Sequence, residues 1–242
     1  LSGGNGAGKS TIRNRLIQHL RNVPTSGEII EGMRLGVRID FEPADATSIH
    51  YDIIRSFDRR LVNVEKLDQL TDGRVTTELD WQLYQLQRRY LDYQVNVANR
   101  MIELLSSGDP ETRAKATEAA MIKTHFQDLV DDLFGETGKR IDRKSNELNF
   151  IQYDEPLQPY LLSSGEKQML IILLTVLTED RQPYVLFEPE ASLHFEWQKR
   201  LIGMIRDLNP NAQIILTTHS PAVIIDGWQD VVTDVSDITV RP

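Results

Sequence analysis

The sequence contains no cysteine, which excludes disulfide bonds, thiolate metal sites and cysteine nucleophiles. It also lacks a run of about 18 apolar residues, the length that a membrane-spanning helix needs. The longest apolar stretch, residues 169–177, is interrupted by Thr175 and fits a buried helix. No basic segment followed by an apolar one opens the chain, so secretion is not indicated and we expect a cytoplasmic location.

Basic residues are outnumbered, since 27 Lys and Arg stand against 36 Asp and Glu and the formal net charge is −9. This balance disfavours general attraction to nucleic acid, but a local basic patch is compatible with it. Basic residues cluster at 59–60, 88–89 and 139–144, where solvated faces are the usual outcome and nucleic-acid contact is the alternative. With 40% hydrophobic and 26% charged residues among 242, the chain fits one globular domain, or one domain with an insertion.

A glycine-rich segment at residues 3–10 matches the pattern G-x-x-x-x-G-K-[ST] in full. Its glycines let backbone amides approach a phosphate closely, and a helix predicted to begin near Lys9 adds a positive dipole end. We expect Lys9 to reach the β- and γ-phosphates of ATP and the Ser10 hydroxyl to bind Mg²⁺. The residues predicted to bind the nucleotide in this loop are Gly3, Asn5, Gly6, Ala7, Gly8, Lys9, Ser10 and Thr11.

Such a loop normally follows a buried strand, and no strand-length segment precedes residue 3. The sequence therefore resembles a fragment, or the ordered part of a longer protein.

The middle of the chain predicts a helical hairpin. Apolar residues spaced alternately by four and three give a 3.5-residue period, which is typical of a coiled-coil seam. They are Leu79, Leu83, Leu86, Tyr90, Tyr93, Val97, Met101 and Leu104. A turn is predicted at residues 106–110, and a second apolar stripe follows at Ile122, Phe126, Leu129 and Leu133. The pattern fits an antiparallel hairpin that projects, or a helical subdomain packed flat on the core.

Strand and helix patterns alternate elsewhere. Short apolar runs at residues 184–187 and 214–217 are typical of buried strands, with a helix predicted between them at 196–208. Further strands are predicted at 36–41 and 149–153, and a helix after Leu162. The alternation predicts an α/β fold with a mostly parallel sheet.

Four further segments resemble motifs of ABC-type ATPases and occur in that family's order. Residues 162–168 resemble the signature motif, 188–190 the end of the Walker B motif, 191–194 the D-loop, and 217–221 the switch-histidine loop. The last three are most similar to the soluble, AAA-annotated branch near SMC, RecF and OLD-family proteins. Many members of that branch serve DNA repair or antiphage defence.

The resemblance implies a P-loop NTPase head of the ABC type with an inserted antiparallel helical hairpin. Residues 1–77 would form the N-terminal part of the head, 78–148 the helical insertion, and 149–242 the C-terminal part of the head.

The resemblance also implies a site shared between two subunits. Ser163, Ser164, Gly165 and Glu166 would contact ATP held by the opposite protomer, in a homodimer or a larger homo-oligomer. The helix N-terminus predicted there would itself attract an anion. The alternative is an ordinary capping box formed by Ser163 and Glu166.

Two residues are the candidates for catalysis. Glu188 would be the general base that polarises the attacking water, and His219 would bond the γ-phosphate as a sensor. The alternatives are a surface glutamate beside a proline and a capped loop histidine.

The sequence departs from the family at Phe187, where the family has a Mg²⁺-binding Asp. Phe supplies no oxygen ligand, so either Mg²⁺ binding is impaired or the chain lacks one or two residues at this point. A Q-loop glutamine is also not evident between Val23 and Lys66.

The implied function is an ATP-hydrolysing switch that dimerises around ATP and drives a nuclease or toxin effector in DNA repair or antiphage defence. No nuclease constellation is evident, so the effector would be a separate protein. The alternatives are an ATP-clamped scaffold with little turnover and, less in keeping with the motifs, the nucleotide-binding subunit of a transporter.

Overall fold

The computed structural model describes residues 1–2, 8–22, 52–55, 61, 74–106, 110–178, 183–187 and 189–238. The strand predicted at residues 36–41 lies outside these ranges. Among the helices described, none is long and apolar enough to cross a membrane.

The larger described sheet is parallel. It contains β1 (Asp52–Arg55), β5 (Pro183–Phe187) and β6 (Gln213–Thr217) in the order β1–β5–β6. The register places Leu186 of β5 opposite Ile54 on one side and Leu216 on the other. The predicted parallel sheet is confirmed, and β1 is an addition that the sequence did not indicate.

The first residue of the chain lies beside β6. The amide nitrogen of Leu1 donates to the carbonyl oxygen of Leu216 at 2.7 Å, and the carbonyl oxygen of Leu1 accepts from Thr218 N at 3.2 Å. Because the strands are parallel, the glycine-rich loop and the loops that follow β5 and β6 start at the same edge of the sheet. That edge is where α/β proteins bind their ligands.

A second, antiparallel sheet contains β2 (Lys139–Ile141), β3 (Phe150–Gln152) and β4 (Glu155–Leu157). Tyr153 and Asp154 connect β3 to β4 with positive φ angles of 52° and 64°. Two such residues in succession are typical of the tight turn that matches strand twist in a hairpin. The prediction of a strand at residues 149–153 is confirmed.

Within the described ranges, three α-helices precede this sheet: α1 (Lys9–Asn22), α2 (Glu78–Ser106) and α3 (Pro110–Phe134). The ring centroids of Tyr90 and Phe126 lie 5.9 Å apart, and Lys123 Nζ donates to Gln94 Oε1 at 2.6 Å. The later residue of α2, Gln94, contacts the earlier residue of α3, Lys123, so the two helices run antiparallel as predicted.

Burial changes along α2, so neither alternative for the hairpin describes the whole helix. Every fully buried position of α2 lies in its first half, where the helix packs against α4 (Ser164–Thr178) as well as α3. Farther along, Val95, Ile102 and Leu105 are 58%, 63% and 50% exposed. The first half of α2 is thus part of the core, and its second half carries apolar residues on the surface.

The core is centred on α4, whose residues 166–177 are all buried. Phe134 at the end of α3 lies 5.7 Å from the Phe150 ring and 5.8 Å from Trp197 of α5 (Phe195–Leu208), measured between centroids. The helical hairpin, the small sheet and α5 therefore share one hydrophobic core. The short helix α6 (Val235–Ile238) ends the described chain. The domain boundaries at 77/78 and 148/149 stay predictions.

Candidate nucleotide site

The glycine-rich loop is described from Gly8 onward. Gly8 has a φ of +99°, a backbone conformation that favours glycine, and its carbonyl oxygen accepts from Thr11 N and Ile12 N at 3.0 Å each. Helix α1 begins at Lys9, as predicted, and Lys9 is buried. Thr11 is exposed. Gly3, Asn5, Gly6, Ala7 and the Ser10 side chain lie outside the description.

The start of the loop is fixed on the side away from β6. Ser2 N donates to Thr233 O at 2.9 Å, and Val235 N donates to Ser2 O at 3.0 Å. The hydrogen bonds from Ser236 lower the pKa of Asp234, and smaller contributions come from Ser2 and from the positive charge of Lys9. The Lys9 ammonium thus lies within electrostatic range of the segment that flanks the loop.

The signature segment forms a capping box. Ser163 N and Ser163 Oγ both donate to Glu166 Oε2 at 2.9 Å, and Glu166 N donates to Ser163 Oγ at 3.4 Å. The capping alternative is therefore realised in this structure. Ser163 and Ser164 are nonetheless exposed, and Gly165 is half-buried. Of the groups predicted to bind an opposing nucleotide, the two serines therefore lie on the surface, with the Ser163 hydroxyl already engaged.

Glu166 is buried rather than directed at solvent. Its Oε1 accepts from Lys139 Nζ at 2.8 Å and from Thr137 Oγ1 at 3.1 Å. Burial acts to raise the pKa of Glu166, but the hydrogen bonds from Lys139 and Ser163 outweigh it, so the pKa lies below its usual value. Glu166 thus joins the signature turn to β2 as an ionised carboxylate.

The next residue, Lys167, makes a second ion pair, in which α4 supplies the cation and not the carboxylate. Its Nζ donates to Asp80 Oδ1 at 2.8 Å, and the side chains are only 10% and 3% exposed. Asp80 Oδ2 also accepts from Thr76 N and Thr77 N at 3.1 Å each, which caps the start of α2. Burial opposes these contacts, yet the hydrogen bond from Lys167 and those from the capping residues lower the pKa of Asp80. The first turn of α4 is therefore tied to α2 as well as to β2.

The signature segment and the D-loop touch within one chain. Residues Pro189–Ser192 form a short 3₁₀ helix, and a Cβ atom added to Gly165 would lie 2.5 Å from the Ser192 carbonyl oxygen. No real Cβ approaches a backbone oxygen so closely, so only glycine permits this contact.

Glu190, which ends the Walker B segment just before the D-loop, binds the switch loop. Its Oε1 accepts from Thr218 Oγ1 at 2.5 Å, from His219 N at 2.7 Å and from Ser220 N at 3.2 Å. Ser220 Oγ in turn donates to Gln198 Oε1 of α5 at 2.6 Å. His219 is exposed, and the loop beneath it is held by two half-buried side chains, Glu190 and Gln198.

The structure therefore brings together the signature turn, the D-loop and the switch loop. Glu188 lies outside the described residues, and Phe187, which ends β5, pairs in register with Thr217. The motifs in the sequence do not single out Glu190 for this contact. No spacing rule indicates that a residue at this position binds a loop 28 positions later in the chain.

The donor set for Mg²⁺ is sparse. Among the described residues no three His, Asp or Glu side chains cluster in a way that could hold a metal ion. Ser10 offers one hydroxyl by residue type, whereas Phe187 offers no oxygen. Phosphate oxygens and water would have to complete the coordination, as is common for Mg²⁺ bound with a nucleotide.

Comparison with known proteins identifies the family. The family described as "AAA domain, putative AbiEii toxin, Type IV TA system" matches residues 53–226, which is well over half of the chain. The match includes the signature, Walker B, D-loop and switch segments and begins after the glycine-rich loop.

Three known proteins are similar to parts or most of the chain. The Inner membrane ABC transporter ATP-binding protein YddA of Escherichia coli (strain K12) is 35% identical over 81 residues. That match covers 33% of this chain and only 13% of the transporter protein.

The other two are solved structures of SMC heads. One, an SMC head bound to the C-winged helix domain of ScpA, shows 15% identity and a TM-score of 0.46, covering 93% of this chain and 82% of that one. The other, from Pyrococcus furiosus, is an Smc head with an extended coiled coil bound to the C-terminal domain of ScpA. It shows 13% identity and a TM-score of 0.32, covering 62% of this chain and 49% of that one.

The extent of the family match, the complete P-loop pattern and the parallel sheet agree. The chain belongs to the family described as "AAA domain, putative AbiEii toxin, Type IV TA system", and its P-loop and later motifs resemble those of ABC-type ATPases.

Proposed function

We propose that this chain binds and hydrolyses ATP and associates around the nucleotide with a second copy of itself. The observation that carries the proposal is the contact between the three loops. Gly165 meets the D-loop at Ser192, and Glu190, directly before the D-loop, holds the backbone of His219. The signature turn is thus connected through these contacts to His219, the residue expected to face the γ-phosphate.

The proposed chemistry is the transfer of the γ-phosphoryl group to water. The amides of residues 3–10 and the Lys9 ammonium bind the phosphates, and His219 donates a hydrogen bond to the γ-phosphate. Glu188 accepts a proton from the attacking water while the water oxygen forms a bond to the γ-phosphorus. At the same time the bond between the γ-phosphorus and the β–γ bridging oxygen breaks, and ADP leaves. Mg²⁺, when bound at Ser10, neutralises charge on the β- and γ-phosphates.

Association is proposed because the signature turn presents exposed polar residues at the start of a helix. Ser164 is exposed at the N-terminus of α4, where the helix dipole favours an anion. Ser163 is exposed too, and its hydroxyl can turn away from Glu166 without leaving that carboxylate unpaired. Glu166 would keep its bonds to Lys139 and Thr137. A triphosphate from a second copy fits these requirements.

An effector nuclease or toxin is proposed as a separate partner. Nucleic-acid contact through residues 139–144 has less support, because three of the four basic side chains there form ion pairs within the chain. Lys139 pairs with Glu166, Arg140 with Asp154, and Arg143 with Asp131 at 2.7 Å. A role in DNA repair or antiphage defence and a cytoplasmic location stay predictions.

One observation favours a second candidate function. Phe187 ends β5 where the resembled family has its Mg²⁺-binding Asp. A weak metal site would slow hydrolysis and leave an ATP-clamped scaffold whose release depends on a partner.

The test combines binding, turnover and mass for the full-length protein. Lys9→Ala should abolish binding of a fluorescent ATP analogue, because the loop loses its phosphate-directed cation. Glu188→Gln should keep binding, lose turnover and show a larger species by light scattering with Mg-ATP. Near-normal affinity in Lys9→Ala would contradict the assignment of the site. A Glu188→Gln mass that ATP does not change would contradict association, and wild-type turnover no faster than that of Glu188→Gln would favour the scaffold.

A further inference from the structure

We infer that Glu190 is a positioning residue for the switch loop, which fixes the backbone of His219 and so determines where the imidazole meets the γ-phosphate. The inference deepens the proposed function and rests on it. Nothing in the sequence motifs assigns this role to Glu190.

The geometry shows a loop folded around one oxygen atom. Three consecutive residues, 218 to 220, each direct a donor at Glu190 Oε1, at 2.5, 2.7 and 3.2 Å. Two of these donors are backbone N–H groups, so the contact sets the path of the chain and not only a side-chain rotamer. Hydrogen bonds to an ionised acceptor are about twice as strong as those between neutral groups.

The other carboxylate oxygen does not bind a second element of the described structure. Glu190 Oε2 is buried and makes no hydrogen bond within the described part of the chain. With three donors of the switch loop bound to one of its oxygens, the carboxylate is engaged in holding that loop. It serves as an anchor, and the role of general base remains with Glu188.

Gln198 of α5 supports the same loop from the opposite side. Its Nε2 donates to the Leu193 carbonyl oxygen at 2.9 Å, and its Oε1 accepts from Ser220 Oγ at 2.6 Å. Ala222 N donates to that hydroxyl at 3.3 Å. The backbone of His219 is therefore held by this scaffold, and its side chain is exposed.

The competing explanation is that Glu190 only stabilises the fold. A structural role would change the unfolding temperature and leave kcat per folded molecule unchanged. A positioning role would lower kcat, keep ATP affinity, and change the environment of the imidazole.

The experiment compares Glu190→Ala, Glu190→Gln and a matched control, Glu196→Gln. Glu196 is an exposed carboxylate six residues later whose partner is Lys199 at 3.1 Å. The measurements are analogue affinity, kcat and KM, and the NMR signal of the His219 ring, identified by its loss in His219→Gln. A repositioned imidazole should shift or broaden that signal.

For Glu190→Ala we expect kcat to fall by about 10- to 100-fold, the usual effect of losing a group that orients an active residue. Analogue affinity should stay within a few-fold, and the His219 signal should change. Glu190→Gln should be intermediate, because its amide oxygen still accepts hydrogen bonds but carries no charge. Glu196→Gln should match wild type in every readout.

A wild-type kcat and an unchanged His219 signal in folded Glu190→Ala would overturn the inference. If the alanine variant does not fold, the same two readouts on Glu190→Gln decide. If wild type does not hydrolyse ATP, the proposed function fails, and the His219 signal in nucleotide-bound protein still decides whether Glu190 positions the loop.

Discussion

The carbonyl oxygen of Ser192 lies 2.5 Å from the point that a Cβ atom would occupy on Gly165. The signature turn and the D-loop can approach this closely only because residue 165 has no side chain. The contact is between a helix and the backbone of a loop, so neither side can yield by a simple rotamer change.

Gly165→Ala should therefore destabilise the protein, since the added methyl group forces the helix or the D-loop to move. We expect a loss of about 1–3 kcal/mol in the free energy of unfolding, the usual cost of overpacking. Urea denaturation measures it. Gly203→Ala is the control, because a Cβ at that position in α5 meets nothing within 4 Å. It should be neutral or stabilise by up to about 1 kcal/mol. Equal effects of the two substitutions would mean that the close contact does not form.

The Lys167–Asp80 ion pair should be among the costliest polar contacts to break. Lys167→Met keeps an apolar stem but leaves a buried carboxylate without its cation, and such a loss costs about 3–5 kcal/mol. The matched control is Glu196→Gln, which breaks the exposed pair with Lys199 and should cost no more than about 1 kcal/mol. Thermal unfolding of the two variants gives the comparison. Similar melting temperatures would show that solvent reaches the Lys167–Asp80 pair.

Stability should fall at acidic pH because the pKa values of Asp80 and Glu166 are lowered in the folded protein. The unfolded chain then binds more protons than the folded one, so stability rises with pH in this range. The contribution is complete above the ordinary carboxyl pKa of about 4 and is lost as pH falls through the lower folded values. Denaturation midpoints from pH 7 to pH 2 should decline less steeply for Glu166→Gln than for wild type. A profile parallel to wild type would contradict an ionised, bonded Glu166.

Ser163 offers a way to separate capping from assembly. Ser163→Ala removes the cap and should cost about 1 kcal/mol of stability. Ser163→Arg also places bulk where an opposing triphosphate would dock, so it should abolish ATP-dependent association and turnover while analogue affinity stays within a few-fold. Analytical ultracentrifugation with and without ATP measures association. An arginine variant that melts slightly earlier yet still assembles would show that this turn is only a helix cap.

Much of the fold could be predicted because long helices repeat their spacing of apolar residues and buried strands are runs of apolar residues. The heptad spacing from Leu79 onward matched α2, and the apolar runs at residues 184–187 and 214–217 matched β5 and β6. The short strands β1 and β4 could not be found in this way. β1 is Asp-Ile-Ile-Arg and β4 is Glu-Pro-Leu, and three or four residues with charged ends show no period. They form strands because neighbouring strands supply hydrogen-bond partners.

The motifs of the candidate site could be predicted from the sequence, but the contacts that its residues make with distant elements could not. The capping box at Ser163 and Glu166 followed from their spacing, and the structure contains it. The partners of Glu166 and Lys167 come from β2 and α2, which are distant in sequence, so no local rule could name Lys139 or Asp80. The basic run at residues 139–144 looked solvated for the same reason, although Lys139 is largely buried against Glu166.

The uneven burial of α2 also determines how the helix opens. Amide hydrogens exchange with deuterium through local opening, and opening is easiest where few apolar contacts must be broken. Leu83 and Leu86 lie in the core, whereas Ile102 and Leu105 are largely exposed on the same helix. Exchange should therefore be slow at Leu83 and Leu86 and faster at Ile102 and Leu105, so that one continuous helix divides into two units of different local stability.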